Sequence, residues 1–298
     1  MIRSLPSLIA FLPLLAQSTP LGETPPGRVP VRFAADVVRA DHSSPTLSPD
    51  GREIYWAQRR GEEGPRRILF ATLSEETWSE PAVTAFTAVE DGDCPVVSPD
   101  GGTLYFNSSR PLPGQEGGRR ERIWFVTREA DGWSDPAPVS EAVNGAHLHW
   151  QTSVDRAGNL YFGSERRGSL GRDDIFAAPW SEGAHGEAQS LPAPINTESH
   201  ESMPFVDPDG DYLLFVRAHY GAGEPPHATG LLASFREEDG TWTEPVRVPL
   251  EGEAGRNAAC PFVSRDGRFL FFLVMTRSEK SVWWVDAAVI GEADPRRP

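Results

Sequence analysis

Five copies of one phrase organise this chain. They are Pro45–Gly51 (PTLSPDG), Pro95–Gly101 (PVVSPDG), Thr152–Gly158 (TSVDRAG), Pro204–Gly210 (PFVDPDG) and Pro261–Gly267 (PFVSRDG), with successive glycines 50, 57, 52 and 57 residues apart. A period near fifty residues signals a propeller, solenoid or array, and it constrains the fold before any local motif does. Each phrase is preceded by a short apolar stretch and followed by an aromatic-rich one: Glu53–Trp56, Thr103–Phe106, Asn159–Phe162, Tyr212–Phe215 and Arg268–Phe272. Two such runs joined at an Asp-Gly turn make a hairpin.

A third strand is expected over 67–73, 122–127, 174–178, 230–235 and 281–289, after loops rich in Gly and Arg. A fourth is marked by Trp-x-x-Pro at Trp78–Pro81, Trp133–Pro136 and Trp242–Pro245. Proline suits an edge strand, where no ladder needs its missing N–H. Four antiparallel strands per repeat, with no long helical periodicity, predict an all-β, five-bladed β-propeller. The fifth repeat lacks a fourth strand, and Val31–Val38 stands unpaired ahead of the first, so the N-terminal strand is expected to complete the last blade and close the ring. A six-bladed ring would require a blade for which no sequence is left over.

Met1–Ser18 carries one basic residue, Arg3, an apolar run over 5–16 and small residues at Ala16 and Ser18, the pattern of a secretory signal peptide. The run is too short to span a bilayer, and no cysteine lies nearby to make a lipoprotein. A periplasmic or extracellular destination follows, with no transmembrane segment after cleavage. The expected layout is signal 1–18, a Pro/Gly-rich linker 19–30, one propeller domain 31–290 and a tail 291–298. The formal charge is −15 and Lys280 is the only lysine, so the broad basic face that nucleic acid requires is missing. Cys94 and Cys260 each precede the proline of their repeat, two blades apart in a five-membered ring, which predicts two buried thiols and no disulfide.

The repeated P-x-x-S-P-D-G followed by L-Y-F-x-S, with the endings Asn107–Arg110 (NSSR) and Gly163–Arg166 (GSER), resembles the WD40-like, TolB-like propeller repeat of bacterial envelope proteins. The third repeat departs from it with Asp155–Gly158 (DRAG), and the fifth has Arg265 in place of the second proline. The resemblance spans about 31–290. It implies an exported binding scaffold, since such propellers include periplasmic assembly proteins, domains attached to peptidases and some polysaccharide lyases.

In a propeller, the loops that lead into the innermost strands and those between second and third strands open on one face over the axis. That mouth is predicted to gather Asp41, His42, Asp93, His149, His200 and Glu201. Imidazole and carboxylate together suit a divalent metal such as zinc or manganese, and could equally serve as acid and base. The competing reading has them capping strand ends. Arg60, Arg110 and Arg166, each five residues after a tyrosine, belong to the same face, either as forks for an anionic ligand or as structural ion pairs with residues such as Asp173 or Asp174. The repeated tryptophans read as packing pieces and the Asp-Gly aspartates as turn formers.

Nucleophile-elbow, zincin, Walker and C-x-x-C signatures are missing from the sequence. The expectation is therefore a non-enzymatic propeller that binds an envelope protein or glycan through its axial face. The alternative is a carbohydrate-active hydrolase or lyase built on Asp41, Asp93 and Glu201.

Overall fold

A computed structural model describes residues 20–297 except 60, 62, 113, 115–119, 146, 220–226 and 277–279, and omits the side chains at 147–150, 219, 227, 228 and 253. The signal segment lies outside the described residues. Five antiparallel sheets stand in a ring, a five-bladed β-propeller. From the axis outward, blade one is Thr46–Leu47, Glu53–Arg59, Arg66–Ser74 and Ala82–Val83. Blade two is Asp93–Val97, Thr103–Ser108, Arg122–Glu129 and Ala137–Pro138, and blade three is His147–Val154, Leu160–Glu165, Asp174–Ala178 and Gln189–Ser190. Blade four is His200–Val206, Tyr212–His219, His227–Phe235 and Val246–Arg247. Blade five is Ala258–Val263, Phe269–Met275 and Lys280–Asp286, with Val31–Arg32 outermost in the register Val31 opposite Trp284.

Three local details differ from the sequence reading. The N-terminal strand is two residues long, because Ala34 turns the chain at φ 40° and Phe33 dives into the core. The last long strand stops at Asp286, and Ala288–Glu292 is a short helix that buries Val289 and Ile290. Trp78 and Trp133 lie in small hairpins folded back on the third strand, while the fourth-strand pairing is made after the proline, at Ala82–Val83 and Ala137–Pro138.

The repeated turn is held by side chains. Ser48 Oγ donates to Asp50 Oδ1 at 2.6 Å and accepts the Glu53 N–H at 2.9 Å, while Asp50 accepts the Arg52 N–H at 3.0 Å. Ser98 with Asp100, and Ser264 with Asp266, repeat the arrangement. The glycine that follows sits at φ 70° to 87° in all five copies, a conformation that side chains with a Cβ disfavour. The Asp-Gly aspartates are thus turn formers; the hydroxyl of Ser48 or Ser98 holds Asp50 or Asp100 below the usual carboxylate range.

A second device recurs ahead of the next blade. Asn144 accepts the Ile123 N–H at 2.9 Å and donates to Ile123 O and Val139 O, Asn196 does the same for Ile175 and Leu191, and Thr87 takes the corresponding place against Ile68. Each buried side chain satisfies third-strand backbone that the short outer strand does not reach. Asn196→Ala should cost about 2 kcal/mol, because it strands the buried Ile175 N–H and takes one of two donors from each of Ile175 O and Leu191 O; a urea melt that moves by less than a third of that would remove the device from the account.

Aromatic and aliphatic side chains fill the spaces between blades, and each repeat's tryptophan leans on the blade before it. Trp133 Nε1 donates to Tyr55 Oη at 3.1 Å, and Trp242 packs with Tyr161. In blade three the matching place holds His185, in His185–Ala188 (HGEA), where blades one, two and four read Trp-x-Glu/Asp-Pro. His185 meets Tyr105 edge-on at 6.1 Å, and its Nε2 lies 3.1 Å from Gly158 O. Burial holds its pKa below the ordinary value. A cleft of about 570 Å³ walled by Tyr105, Phe125 and Trp180 lies beside this smaller ring. His185→Trp should fill part of it and stabilise the protein by about 1 kcal/mol, seen as a melting point about 2 °C higher at this size; a lower melting point would show that the cleft is shaped for something other than the repeat's indole.

Candidate functional site

The inner strand of each of blades two to five is kinked at the residue before, or equivalent to the one before, the repeat's leading proline. Cys94, Gln151, Met203 and Cys260 have φ of 48°, 32°, 56° and 51°, and the register with the second strand slips at each. These are β-bulges, which re-aim side chains and end regular pairing. They turn four side chains from the sheet faces toward the axis. Gln151 Nε2 donates to Pro261 O at 2.8 Å, tying blade three to blade five, and Cys260 Sγ lies 3.5 Å from Met203 Sδ. Both cysteines are free and buried, as the repeat predicts, and burial pushes both thiols up.

Just outside this plug, the loops of blades one and two bring charged groups together. Arg66, at the start of a third strand, donates to Asp41 Oδ1 at 3.0 Å and lies 3.4 Å from Asp93 Oδ2. His42 Nδ1 is 2.7 Å from the same Asp93 oxygen, and Asp93 Oδ1 accepts the Cys94 N–H at 2.8 Å. Asp41 also accepts the Arg59 N–H at 2.9 Å. Three of the predicted residues, Asp41, His42 and Asp93, therefore meet at one place, joined by Arg66.

A cleft of about 520 Å³ opens beside them, lined by Arg66, Asp93, Asn107 and Glu121, with Asp91 at its edge. Asp91 is already committed to the loop, accepting Ser109 N–H at 3.0 Å and both the Ser108 and Ser109 hydroxyls at 2.9 Å. Glu121 was not singled out by the sequence, and it is the most perturbed carboxyl of the cleft. Burial, with Asp93 and Asp91 nearby, pushes it up to about 7, against the opposing pull of the Asn107 amide and Arg66. The signal in the sequence is its place at the head of the third strand, the position that Arg66 and Asp173 hold in blades one and three.

The remaining predicted residues go elsewhere. Glu201 has 0% of its side chain exposed and is held by Arg217 Nε at 2.7 Å and by the Thr197 hydroxyl and N–H at 2.6 and 3.1 Å. Glu201 therefore does not join Asp41 and Asp93: it is paired inside blade four, and the further carboxyl that lines the cleft with Asp93 is Glu121. His200 lies 3.6 Å from Asp173, apart from the blade-one cluster. Arg110 donates to Phe86 O at 2.9 Å and to Ser108 Oγ at 2.9 Å and covers Phe106, while Arg166 donates to Val143 O at 2.8 Å and covers Phe176. Both are anchors of the connecting loop instead of forks aimed at the mouth, and their partners are carbonyls where Asp173 or Asp174 was the expectation. Arg60 and the His149 side chain lie outside the described residues.

No protein-family model matches this chain, and no curated protein matches it. Solved structures do. TolB from Acinetobacter baumannii is 15% identical with a TM-score of 0.51, covering 83% of this chain and 52% of that one. The chain shares the β-propeller fold of TolB. It spans about half the length of that A. baumannii structure. A putative TolB from Agrobacterium tumefaciens is 16% identical with a TM-score of 0.50 over 82% of this chain and 76% of that one. An endo-arabinase from Bacteroides thetaiotaomicron is 12% identical with a TM-score of 0.54 over 86% and 96%. At these identities the likeness is one of fold, and the mouth must be argued from its own residues.

Glu121 offers a direct check on the electrostatics of that mouth. The folded chain holds this proton to about 7, whereas the ordinary value is 4.5. Its contribution to stability is complete below about 4.5 and is lost as pH rises through about 7. Urea melts of the parent and Glu121→Gln at pH 4.5 and pH 8 should diverge by up to about 3 kcal/mol, with the variant gaining relative to the parent at the higher pH. A difference that does not change with pH would place Glu121 in contact with solvent.

Proposed function

We propose that this chain is an exported propeller of the TolB-like repeat kind that binds a hydroxyl-rich envelope glycan at the mouth between blades one and two. The observation that supports this reading is the cleft formed by Arg66, Asp93, Asn107 and Glu121. Guanidinium, carboxylate and amide set side by side offer donors and acceptors in the pattern that adjacent sugar hydroxyls need. Opposite charges nearly cancel there, which suits a neutral ligand better than a polyanion. Export rests on the leader pattern of Met1–Ser18.

Calorimetric titration with a panel of neutral and acidic oligosaccharides should find a neutral member bound, with Arg66→Ala and Asp93→Ala each weakening it at least about tenfold, as loss of a charge-assisted hydrogen bond implies. Equal affinity in parent and variants would move the site away from this mouth. Expressed with its own N-terminus in a bacterium with two membranes, the chain should be recovered from the periplasm beginning at Thr19. Recovery from the cytoplasm with Met1 intact would end the export reading.

A hydrolase reading is favoured by one observation, two carboxyls, Glu121 and Asp93, lining one cleft, the first pushed up to about 7 by burial. Such a pair is what acid-assisted glycoside cleavage requires. Release of reducing ends from the bound oligosaccharide, abolished in Glu121→Gln with binding retained, would turn the binding protein into an enzyme.

A further inference from the structure

The axial plug and the mouth meet at three residues whose chemistry differs from that of a sugar site. His42 Nδ1 or Nε2, an Asp93 carboxylate oxygen and Cys94 Sγ all lie within 4.8 Å of one another. We propose that His42, Asp93 and Cys94 form a transition-metal site of the zinc class at the inner end of the mouth, with a fourth position open to the cleft. Imidazole, carboxylate and thiolate are the three donor types that zinc accepts, and three protein ligands with one open position is the arrangement of a reactive zinc centre.

The geometry needs small adjustments. Zinc–ligand bonds of about 2.0–2.3 Å at tetrahedral angles put the donors roughly 3.4–3.6 Å apart. The His42–Asp93 contact of 2.7 Å would widen by under an ångström, and the sulfur would close by at most about 1.4 Å from its 4.8 Å limit. Arg66, 3.4 Å from Asp93, does not hold that carboxylate alone, because Asp41 is its nearer partner at 3.0 Å. Asp93 can turn to an ion while the guanidinium stays paired.

A second, independent observation comes from the plug. Gln151, with 6% of its surface exposed, donates its backbone N–H toward Cys94 Sγ and its amide N–H₂ to Pro261 O, yet its Oε1 is buried with no hydrogen-bond partner among the described residues. Ser43 Oγ and Ser44 Oγ, 1% and 5% exposed on the segment directly after His42, are in the same condition. Buried acceptors left unmatched cost free energy unless something meets them; of these, Gln151 sits against the Cys94 thiol, whereas Ser44 donates its backbone N–H to the Cys260 thiol. Cys94 is inner and buried, whereas His42 and Asp93 keep 25% and 17% of their side chains exposed, so an ion would enter from the cleft and displace the thiol proton, which leaves to solvent as the metal–sulfur bond forms.

This site does not depend on a glycan being bound, and its readout is spectroscopic. The chain, purified with both cysteines reduced and stripped with chelator, is titrated with Co²⁺ and then challenged with Zn²⁺. One Co²⁺ per chain should bind with a thiolate-to-metal charge-transfer band and the strong visible absorption of four-coordinate cobalt, and Zn²⁺ should displace it. Cys94→Ser should abolish the charge-transfer band. Asp93→Asn and His42→Ala, at partly exposed positions that do not threaten the fold, should each weaken Co²⁺ at least about tenfold. Cys260→Ser should leave the band in place. No band at one equivalent of Co²⁺, a band that survives Cys94→Ser, or affinity unchanged in both His42→Ala and Asp93→Asn would overturn the proposal.

Discussion

A four-stranded sheet cannot be stable with both apolar faces in water, so everything in this chain depends on each blade finding a neighbour on either side. The core is accordingly not central but lies in the seams. Tyr55, Ile68, Phe106 and Trp124 fill the space between blades one and two, Tyr105, Phe162 and Phe176 that between two and three, and Tyr161, Phe215 and Trp242 that between three and four. The largest cluster joins blades four, five and one through Leu214, Phe262, Phe271, Trp284 and Trp56. Polar groups within the seams are matched to one another: Thr46 Oγ1 accepts the Val97 N–H and Ser153 Oγ the Val206 N–H, each from the blade before.

Seam packing also explains the arginines. A guanidinium laid over Phe106 or Phe176 adds cation–π attraction and apolar contact while its N–H groups reach the carbonyls of the connecting loop. Arg217 does the same work in blade four, donating to Pro194 O and Ile195 O, and there a buried carboxylate, Glu201, is added. Loops locked in this way keep the mouth's backbone in place, so that Asp41, Arg66 and Asp93 need little further ordering to meet a ligand.

The mouth itself owes its composition to imperfect repetition. A propeller's inner strands converge, and the bulges at Cys94, Gln151, Met203 and Cys260 relieve that crowding at the cost of left-handed backbone in non-glycine residues. Because the four positions meet, their side chains form one mixed plug, and because the loops outside them are not repeated, each blade contributes something different. Charge gathers at blades one and two, whereas blade four spends its carboxylate on its own arginine.

Blade number, strand order, the Asp-Gly turns and the two free thiols were legible in the residues, since each follows from spacing and local chemistry: a period of about fifty, alternating apolar runs, a serine two places before an aspartate. His42 and Asp93 were legible as mouth residues because they sit at fixed offsets from the repeated phrase. Pairing was not. Whether Glu201 faces a cleft or an arginine sixteen residues later, whether Arg110 meets a carboxylate or a carbonyl, and how far Glu121 is stripped of water are set by distances between blades that no spacing along the chain encodes. The amino-acid sequence thus determined the ring and the residues available at its mouth, because repeats dictate their own packing; the tertiary structure alone decided which charges are spent on one another and which are left facing the cleft, because electrostatic partnership depends on separation and burial in space.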